Sequence, residues 1–241
     1  MQLLSIGNSF SQDAHKWLHK LAQNQGIYLE TVNLYIPGCS LEMHYNNLKN
    51  DLSVYDFEPN GNGGERKISI IEALKLRPWD TITLQQVSGL SGMYETYEPY
   101  LSELVSVIKK VCPDATLYFH QTWAYETDSE HPDFVKYNRD QTKMYRCIEK
   151  ASKTAAQSIG AREILAGKTI QTLRETLPEF DYKNGGKSLC RDGFHLSLDY
   201  GRFSVAATWL KTLTGQEIQP LPLEDFDPEL VRKILKIVNE I

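Results

Sequence analysis

A serine near the start of the chain and an aspartate–histidine pair near its end could together perform acyl transfer. Residues 7–11 read Gly-Asn-Ser-Phe-Ser, and residues 192–195 read Asp-Gly-Phe-His. A serine hydroxyl becomes a useful nucleophile when a histidine takes its proton, and a carboxylate keeps that histidine in the required orientation. We therefore predict that Ser9 is the nucleophile, His195 the base and Asp192 the orienting acid.

Each of the two segments alone has a simpler structural explanation. Ser9 or Ser11 could merely cap the helix that follows, which is a common role for serine. Asp192 could be a turn residue, and His195 could be a half-buried histidine with satisfied hydrogen bonds. The catalytic interpretation therefore requires that the two segments meet in the folded chain.

Short β-like runs alternate with helical periodicity along the sequence, which is typical of βαβ units and a mainly parallel sheet. Strands are predicted near residues 3–6, 28–35, 79–84, 115–119 and 161–165. The polar stretch 39–66 is predicted to be a long irregular loop, of the kind that often forms a functional lid. We predict one domain over residues 1–241, a three-layer α/β/α sandwich whose parallel sheet has about five strands.

Several residues suited to a binding site follow the predicted strands directly. Open α/β sheets bind ligands at the carboxyl edge of their parallel strands, so these residues are expected to converge there. Asn8, His120 and Trp123 are candidates for the wall of a substrate pocket. Trp123 could equally be a core residue, because a large aromatic ring suits both environments.

The order of these segments resembles that of the SGNH/GDSL hydrolase superfamily. In that superfamily the nucleophilic serine follows the first strand, and the triad acid stands three residues before the histidine. The resemblance implies a flavodoxin-like SGNH hydrolase fold and a triad of Ser9, Asp192 and His195. It also implies that the backbone amides of Ser9 and Gly38 donate hydrogen bonds to the oxyanion of the reaction.

The chain departs from the superfamily pattern at two places. Gly-Asn-Ser stands at 7–9 in place of Gly-Asp-Ser, and Leu-Gln-Gln stands at 84–86 where glycine-x-asparagine is usual. A glutamine amide can donate the hydrogen bond of the missing asparagine, with one more methylene of reach. We predict that Gln86 or Gln85 completes the oxyanion hole, and Gln86 is favoured because it lies nearer the strand end. The variant is similar to a poorly characterised Gly-Asn-Ser-Phe subgroup.

The resemblance implies an enzyme that hydrolyses esters, and its substrates in the superfamily range from O-acetylated sugars to short acyl esters, lysophospholipids and thioesters. We predict removal of a short acyl group, favouring O-acetyl, from a small-molecule or carbohydrate ester. The polar 39–66 segment and the absence of a long apolar cap favour this interpretation. A lipid or thioester hydrolase, a non-catalytic carbohydrate-binding relative and an acyltransferase remain as alternatives.

Composition narrows the classes of function further. The net charge of −5 and the absence of a basic cluster argue against a nucleic-acid partner. No apolar run reaches membrane-span length and no signal-peptide pattern is present, so a cytoplasmic protein is predicted, although a removed signal peptide would leave the same pattern. His15 and His19 lack the carboxylate of a metal motif and are placed on the solvent face of a helix, so neither a metal nor a cofactor is predicted. The sequence does not indicate an oligomeric state.

Overall fold

A seven-stranded sheet runs through the part of the chain that the structure describes, residues 1–64 and 66–241 of a computed structural model. Its strands, in chain order, are β1 (Gln2–Gly7), β2 (Glu30–Tyr35), β3 (Tyr55–Pro59), β4 (Lys67–Ile68), β5 (Thr81–Leu84), β6 (Thr116–His120) and β7 (Arg162–Ile164). Their order across the sheet is β4-β3-β2-β1-β5-β6-β7. The strands β2, β1, β5, β6 and β7 are parallel, whereas β3 and β4 pair antiparallel at one edge.

Helices cover both faces of this sheet. They are α1 (Ser9–Asn24), α2 (Leu41–Lys49), α3 (Ile70–Lys75), α4 (Tyr100–Val111), α5 (Gln141–Ile159), α6 (Ala166–Thr176), α7 (Tyr200–Thr214) and α8 (Pro228–Glu240). Helices α1, α6, α7 and α8 contribute to one hydrophobic cluster, and α2, α3 and α4 contribute to the other. Helix α5 contributes residues to both clusters. None of the described helices is long and apolar enough to cross a membrane.

The predicted three-layer α/β fold is confirmed, and its five predicted strands correspond to the five parallel strands. The predicted count of about five omitted the antiparallel pair β3 and β4. Both the missed β3 and the missed α2 lie in the stretch 39–66, which the sequence analysis took for an irregular loop. Helix α2 buries few apolar side chains, among them Leu41 and Leu48. The helical periodicity of the stretch is therefore weak, and the sequence pattern did not indicate a helix there.

Helix α1 begins immediately after β1, and this junction determines where Ser9 lies. The Asn8 side chain caps the helix by accepting a hydrogen bond from the Phe10 amide at 3.0 Å. Phe10, Ala14 and Leu18 recur at helical spacing and are buried against the core. Ser9 is therefore the first residue of a firmly packed helix, at the carboxyl edge of the parallel strands.

Candidate active site

The structure brings the three predicted triad residues together. The Nε2 atom of His195 lies 2.9 Å from the Oγ atom of Ser9, although 186 positions separate the two residues. The Nδ1 atom of His195 lies 2.7 Å from the Oδ2 atom of Asp192. Both distances are within hydrogen-bonding range, and each ring nitrogen faces the partner that serine-based acyl transfer requires.

The carboxylate of Asp192 is held as an anion by the loop that carries it. Its Oδ1 atom accepts hydrogen bonds from the backbone amides of His195 at 2.7 Å and Phe194 at 3.2 Å. Burial opposes ionisation of Asp192, but the His195 side chain and these amide hydrogen bonds together hold its pKa below the usual value. Gly193 makes the turn feasible, because its φ of +83° is unfavourable for other residues.

A buried carboxylate on α1 fixes this loop relative to Ser9. Asp13 lies one helical turn after Ser9, and its side chain is fully buried. It accepts hydrogen bonds from Arg202 at 2.7 Å, from the Leu196 amide at 2.9 Å and from Arg191 at 3.1 Å. Because Arg191 and Leu196 flank the segment 192–195, Ser9 and His195 are attached to one rigid unit.

A small cavity opens beside the Ser9 hydroxyl. Its volume is about 300 Å³. It is lined by residues from the carboxyl ends of the parallel strands and from the histidine loop, namely Asn8, Ser9, Phe10, Tyr35, Pro37, Gly38, Val87, Ser88, His131, Asp133, Phe194 and His195. A cavity of this size accommodates a short acyl group and part of an alcohol.

Two backbone amides predicted to stabilise an oxyanion, those of Ser9 and Gly38, belong to residues that line this cavity. Gly38 has a φ of +61°, and a side chain added there would meet nothing within 4 Å. Asn8 connects the two positions, because its Nδ2 atom donates to the Cys39 carbonyl at 3.0 Å. The turns that contain Ser9 and Gly38 are therefore held side by side.

The structure corrects the predicted role of Gln85, whose side chain does not line the cavity. Its Nε2 atom donates to the Oδ1 atom of Asn8 at 2.6 Å, and its Oε1 atom lies 2.9 Å from the Nδ1 atom of His120. All three residues are buried. Gln85 therefore supports Asn8 from beneath the site and is not placed to contact a substrate.

The structure likewise corrects the favoured oxyanion donor, Gln86. Its Nε2 atom donates to both the carbonyl and the hydroxyl of Thr96 at 3.1 Å, and its Oε1 atom accepts from the Leu41 amide at 3.0 Å. Adjacent side chains at a strand end point in different directions, and both directions here lead away from the cavity. Gln86 joins the start of α2 to the segment after β5.

Two predicted pocket residues lie behind the cavity wall. Trp123 is fully buried, stacks on Phe10 with ring centroids 4.2 Å apart and donates to the Phe194 carbonyl at 2.7 Å. His120 is buried against Gln85. The prediction that Trp123 and His120 form the pocket wall is therefore corrected, since they support the residues that do line the cavity. Asn8, the third predicted pocket residue, does line it.

The predicted solvent exposure of His15 is also wrong. Its ring is buried between the sheet and α7, with Nε2 at 2.7 Å from the Ser5 hydroxyl and a perpendicular contact to Trp209. Burial lowers the pKa of His15 to about 3. A neutral ring with one nitrogen bonded to a serine hydroxyl can occupy a core position, which the helical pattern alone did not indicate.

Two polar cavity residues, His131 and Asp133, were missed by the sequence analysis. They belong to the segment 126–137, which follows β6 and whose polar stretch leads into a short 3₁₀ helix over Pro132–Tyr137. Their position beyond the carboxyl end of a parallel strand was a usable signal, because such segments surround the ligand site of open α/β sheets. The candidates predicted after β6 were His120 and Trp123, and the chain beyond Trp123 was not included.

The fold is that of the SGNH hydrolases, and the resemblance stated from the sequence is confirmed at this level. A protein of Slackia heliotrinireducens that is proposed to be an SGNH hydrolase aligns over 88% of this chain and 98% of its own length, with 20% identity and a TM-score of 0.58. An acetylxylan esterase from Geobacillus stearothermophilus, in a catalytic mutant, aligns over 88% of this chain and 94% of its own length, with 13% identity and a TM-score of 0.56.

The chain belongs to the DUF4886 family, a domain of unknown function whose model matches residues 2–236. A DUF4886 family protein from Bacteroides uniformis is 36% identical, with alignment over 100% of this chain and 93% of that chain and a TM-score of 0.92. A comparison with curated proteins found no match.

Proposed function

We propose that this protein is a serine esterase that removes a short acyl group, favouring O-acetyl, from a carbohydrate-type alcohol. The observation that carries the proposal is the continuous hydrogen-bonded arrangement of Ser9, His195 and Asp192 beside a small cavity. The acetylxylan esterases among the structural neighbours support an ester of this kind.

In the first step the Ser9 oxygen attacks the ester carbonyl carbon while His195 Nε2 takes the hydroxyl proton. Asp192 stabilises the imidazolium that forms and keeps the second ring nitrogen protonated. Collapse of the tetrahedral intermediate breaks the bond between the carbonyl carbon and the alcohol oxygen. His195 gives its proton to that oxygen, and the acyl group stays on Ser9.

The negative charge of the tetrahedral intermediate falls near two backbone donors, the amides of Ser9 and Gly38. The Ser9 amide belongs to the first turn of α1, where the helix dipole also favours negative charge. Such donors stabilise the transition state because they are already oriented when charge develops. Neither glutamine is required in this scheme, since both are engaged elsewhere.

In the second step water replaces the alcohol. His195 removes a proton from the water as its oxygen attacks the acyl carbon, and then returns that proton to Ser9 as the acid leaves. Each cycle therefore consumes one ester and one water and yields one alcohol and one acid. A sugar hydroxyl in place of the water would give acyl transfer by the same route.

The size of the cavity favours a short acyl chain over a lipid. Its volume of about 300 Å³ must hold both the acyl group and the nearest part of the alcohol. A long acyl chain would need an apolar channel leading away from Ser9. The polar side chains of Tyr35, His131 and Asp133 in the lining instead suit an alcohol that carries hydroxyl groups.

Replacement of the nucleophile tests the proposal. Ser9→Ala is expected to lower kcat for p-nitrophenyl acetate hydrolysis by about 10⁴–10⁶-fold, because the attacking oxygen is lost. Steady-state kinetics with the purified variants measure the effect. Ser53→Ala, at an exposed position far from α1 in the sequence, is the matched control and should retain the wild-type rate. Full activity of Ser9→Ala would contradict the proposed function.

A further inference from the structure

The cavity contains a second histidine and a second carboxylate that the triad does not use. His131 and Asp133 both line the cavity that contains Ser9 and His195. The Nδ1 atom of His131 accepts a hydrogen bond from the Asp133 amide at 3.2 Å. A neutral imidazole that accepts at Nδ1 carries its proton at Nε2, so His131 is a hydrogen-bond donor at that atom.

The pair lies on the side of the cavity where the alcohol must leave. His195 delivers a proton to the leaving oxygen, so the alcohol portion of the ester has to approach the His195 ring. The Phe194 ring lies 4.1 Å from the His195 ring and 4.6 Å from the His131 ring, measured between centroids. His131 therefore lies on the His195 side of the cavity, across the Phe194 ring, where the alcohol portion of the ester is expected.

The segment that carries the pair is held rigidly against the loop after β5. The Tyr137 hydroxyl donates to the Gly89 carbonyl at 3.2 Å and accepts from the Gly92 amide at 3.0 Å. Gly89 permits the close approach, because a Cβ atom there would overlap the Asp133 carboxylate. A cavity wall that is already ordered can bind substrate groups with little loss of conformational entropy.

We propose that His131 and Asp133 recognise a hydroxyl group on the alcohol portion of the ester, next to the acylated oxygen. One hydroxyl can accept a hydrogen bond from His131 Nε2 and donate one to the Asp133 carboxylate. Lys136 pairs with Asp133 Oδ1 at 2.7 Å, but a carboxylate has acceptor capacity for a further partner. The inference rests on the proposed esterase function and defines its substrate class as polyhydroxylated alcohols such as sugars.

Two acetate esters of six-membered-ring alcohols separate this role from general catalysis. Methyl 3-O-acetyl-α-D-glucopyranoside carries free hydroxyls on both sides of its ester, and cyclohexyl acetate carries none. We expect the wild-type protein to have the higher kcat/KM for the sugar ester. His131→Ala should lower the ratio of the two kcat/KM values about tenfold, the effect of one hydrogen bond. Asp133→Asn should lower the ratio in the same direction.

His131→Gln is a second variant that keeps an N–H donor, and it should restore part of the ratio. Val135→Ala, an exposed position in the same 3₁₀ helix and outside the cavity lining, is the matched control and should leave the ratio at its wild-type value. An active wild-type protein that prefers cyclohexyl acetate, or a ratio unchanged in both histidine variants, would overturn the inference alone. A wild-type protein that hydrolyses neither ester nor p-nitrophenyl acetate would overturn the proposed function together with it.

Discussion

The position of the Ser9 hydroxyl depends on the residue before it, Asn8. Asn8 caps α1, donates to the Cys39 carbonyl and accepts from Gln85, so one buried side chain joins three segments of the site. An aspartate at this position, as in the usual Gly-Asp-Ser pattern, could not donate to a carbonyl when ionised. The amide at position 8 and the glutamine at position 85 thus form a matched pair.

Gln85→Ala is expected to lower both the free energy of unfolding and kcat. The substitution leaves the buried Nδ1 atom of His120 without this partner, at about 1–3 kcal/mol, whereas the Oδ1 atom of Asn8 loses one of two hydrogen bonds and keeps the one from the Phe10 amide. Urea unfolding and steady-state kinetics on the same preparation measure the two effects. A loss of kcat with unchanged stability would contradict this supporting role, and would indicate a glutamine that contacts the substrate.

The sequence could predict that Ser9, Asp192 and His195 would meet, but not the directions of the glutamine side chains. Ser9, Asp192 and His195 were identifiable because their types and order are characteristic of one chemistry. The direction of a glutamine depends on which partners surround it, and Leu41 and His120 come from distant parts of the chain. Such partners become visible only when the packing of the elements is known.

At the scale of elements, the site is the junction of helix α1 with the segment 190–196. An isolated antiparallel β-bridge pairs Cys190 with Leu196 at the two ends of this segment. Asp13 on α1 accepts hydrogen bonds from Arg191 near one end and from the Leu196 amide at the other. The spacing of Asp13 from Ser9 puts the serine hydroxyl and the carboxylate on successive turns of one helix. Helix α1 therefore orients both members of the Ser9–His195 pair.

Asp13→Asn is expected to lower kcat by about 100-fold, because a displacement of His195 near 1 Å suffices for such a loss. It should also destabilise the fold by about 3 kcal/mol, since the two arginines lose their shared buried carboxylate. Kinetics at a temperature well below the unfolding midpoint, with thermal unfolding in parallel, measure both effects. Retention of the wild-type kcat in a folded variant would show that Asp13 does not position the loop.

At the scale of the whole molecule, the residues of the candidate site lie at the carboxyl edge of the parallel strands. The alternation of strands and helices in the sequence predicted this arrangement. The antiparallel strands β3 and β4 were not predictable, because β4 has only two residues and the pairing of β3 is set by tertiary contacts. Three histidines are buried in the described part of the chain: His15 in α1, His44 in α2 and His120 in β6. Each of them has one ring nitrogen without a hydrogen-bond partner.

These buried histidines are expected to make the fold sensitive to mild acid. Burial lowers the pKa of each to about 3 from an ordinary value of 6.5. The unfolded chain therefore binds more protons than the folded chain between these two pH values. The contribution of the neutral histidines to the free energy of unfolding is full above pH 6.5 and falls as the pH drops towards 3. Each histidine contributes a slope of about 1.4 kcal/mol per pH unit well inside this window.

Urea unfolding at pH 7.5 and pH 5 measures this slope in the wild-type protein and in His44→Gln. The variant lacks one of the three titrating rings, so its loss of stability between the two pH values should be smaller. Most carboxylates stay ionised at pH 5 and contribute little to the difference. Equal free energies of unfolding at the two pH values in the wild-type protein would contradict neutral, buried histidines.

The central claim is that the hydroxyl of Ser9 is an activated nucleophile, and phosphonylation by a fluorophosphonate probe tests it most directly. Intact-mass measurement after reaction is predicted to show a single adduct, and peptide mapping is predicted to place it on Ser9. The reaction should become much slower in His195→Ala, which keeps the serine but removes its base. Absence of an adduct on Ser9 in the wild-type protein, or an equal rate in His195→Ala, would contradict the account.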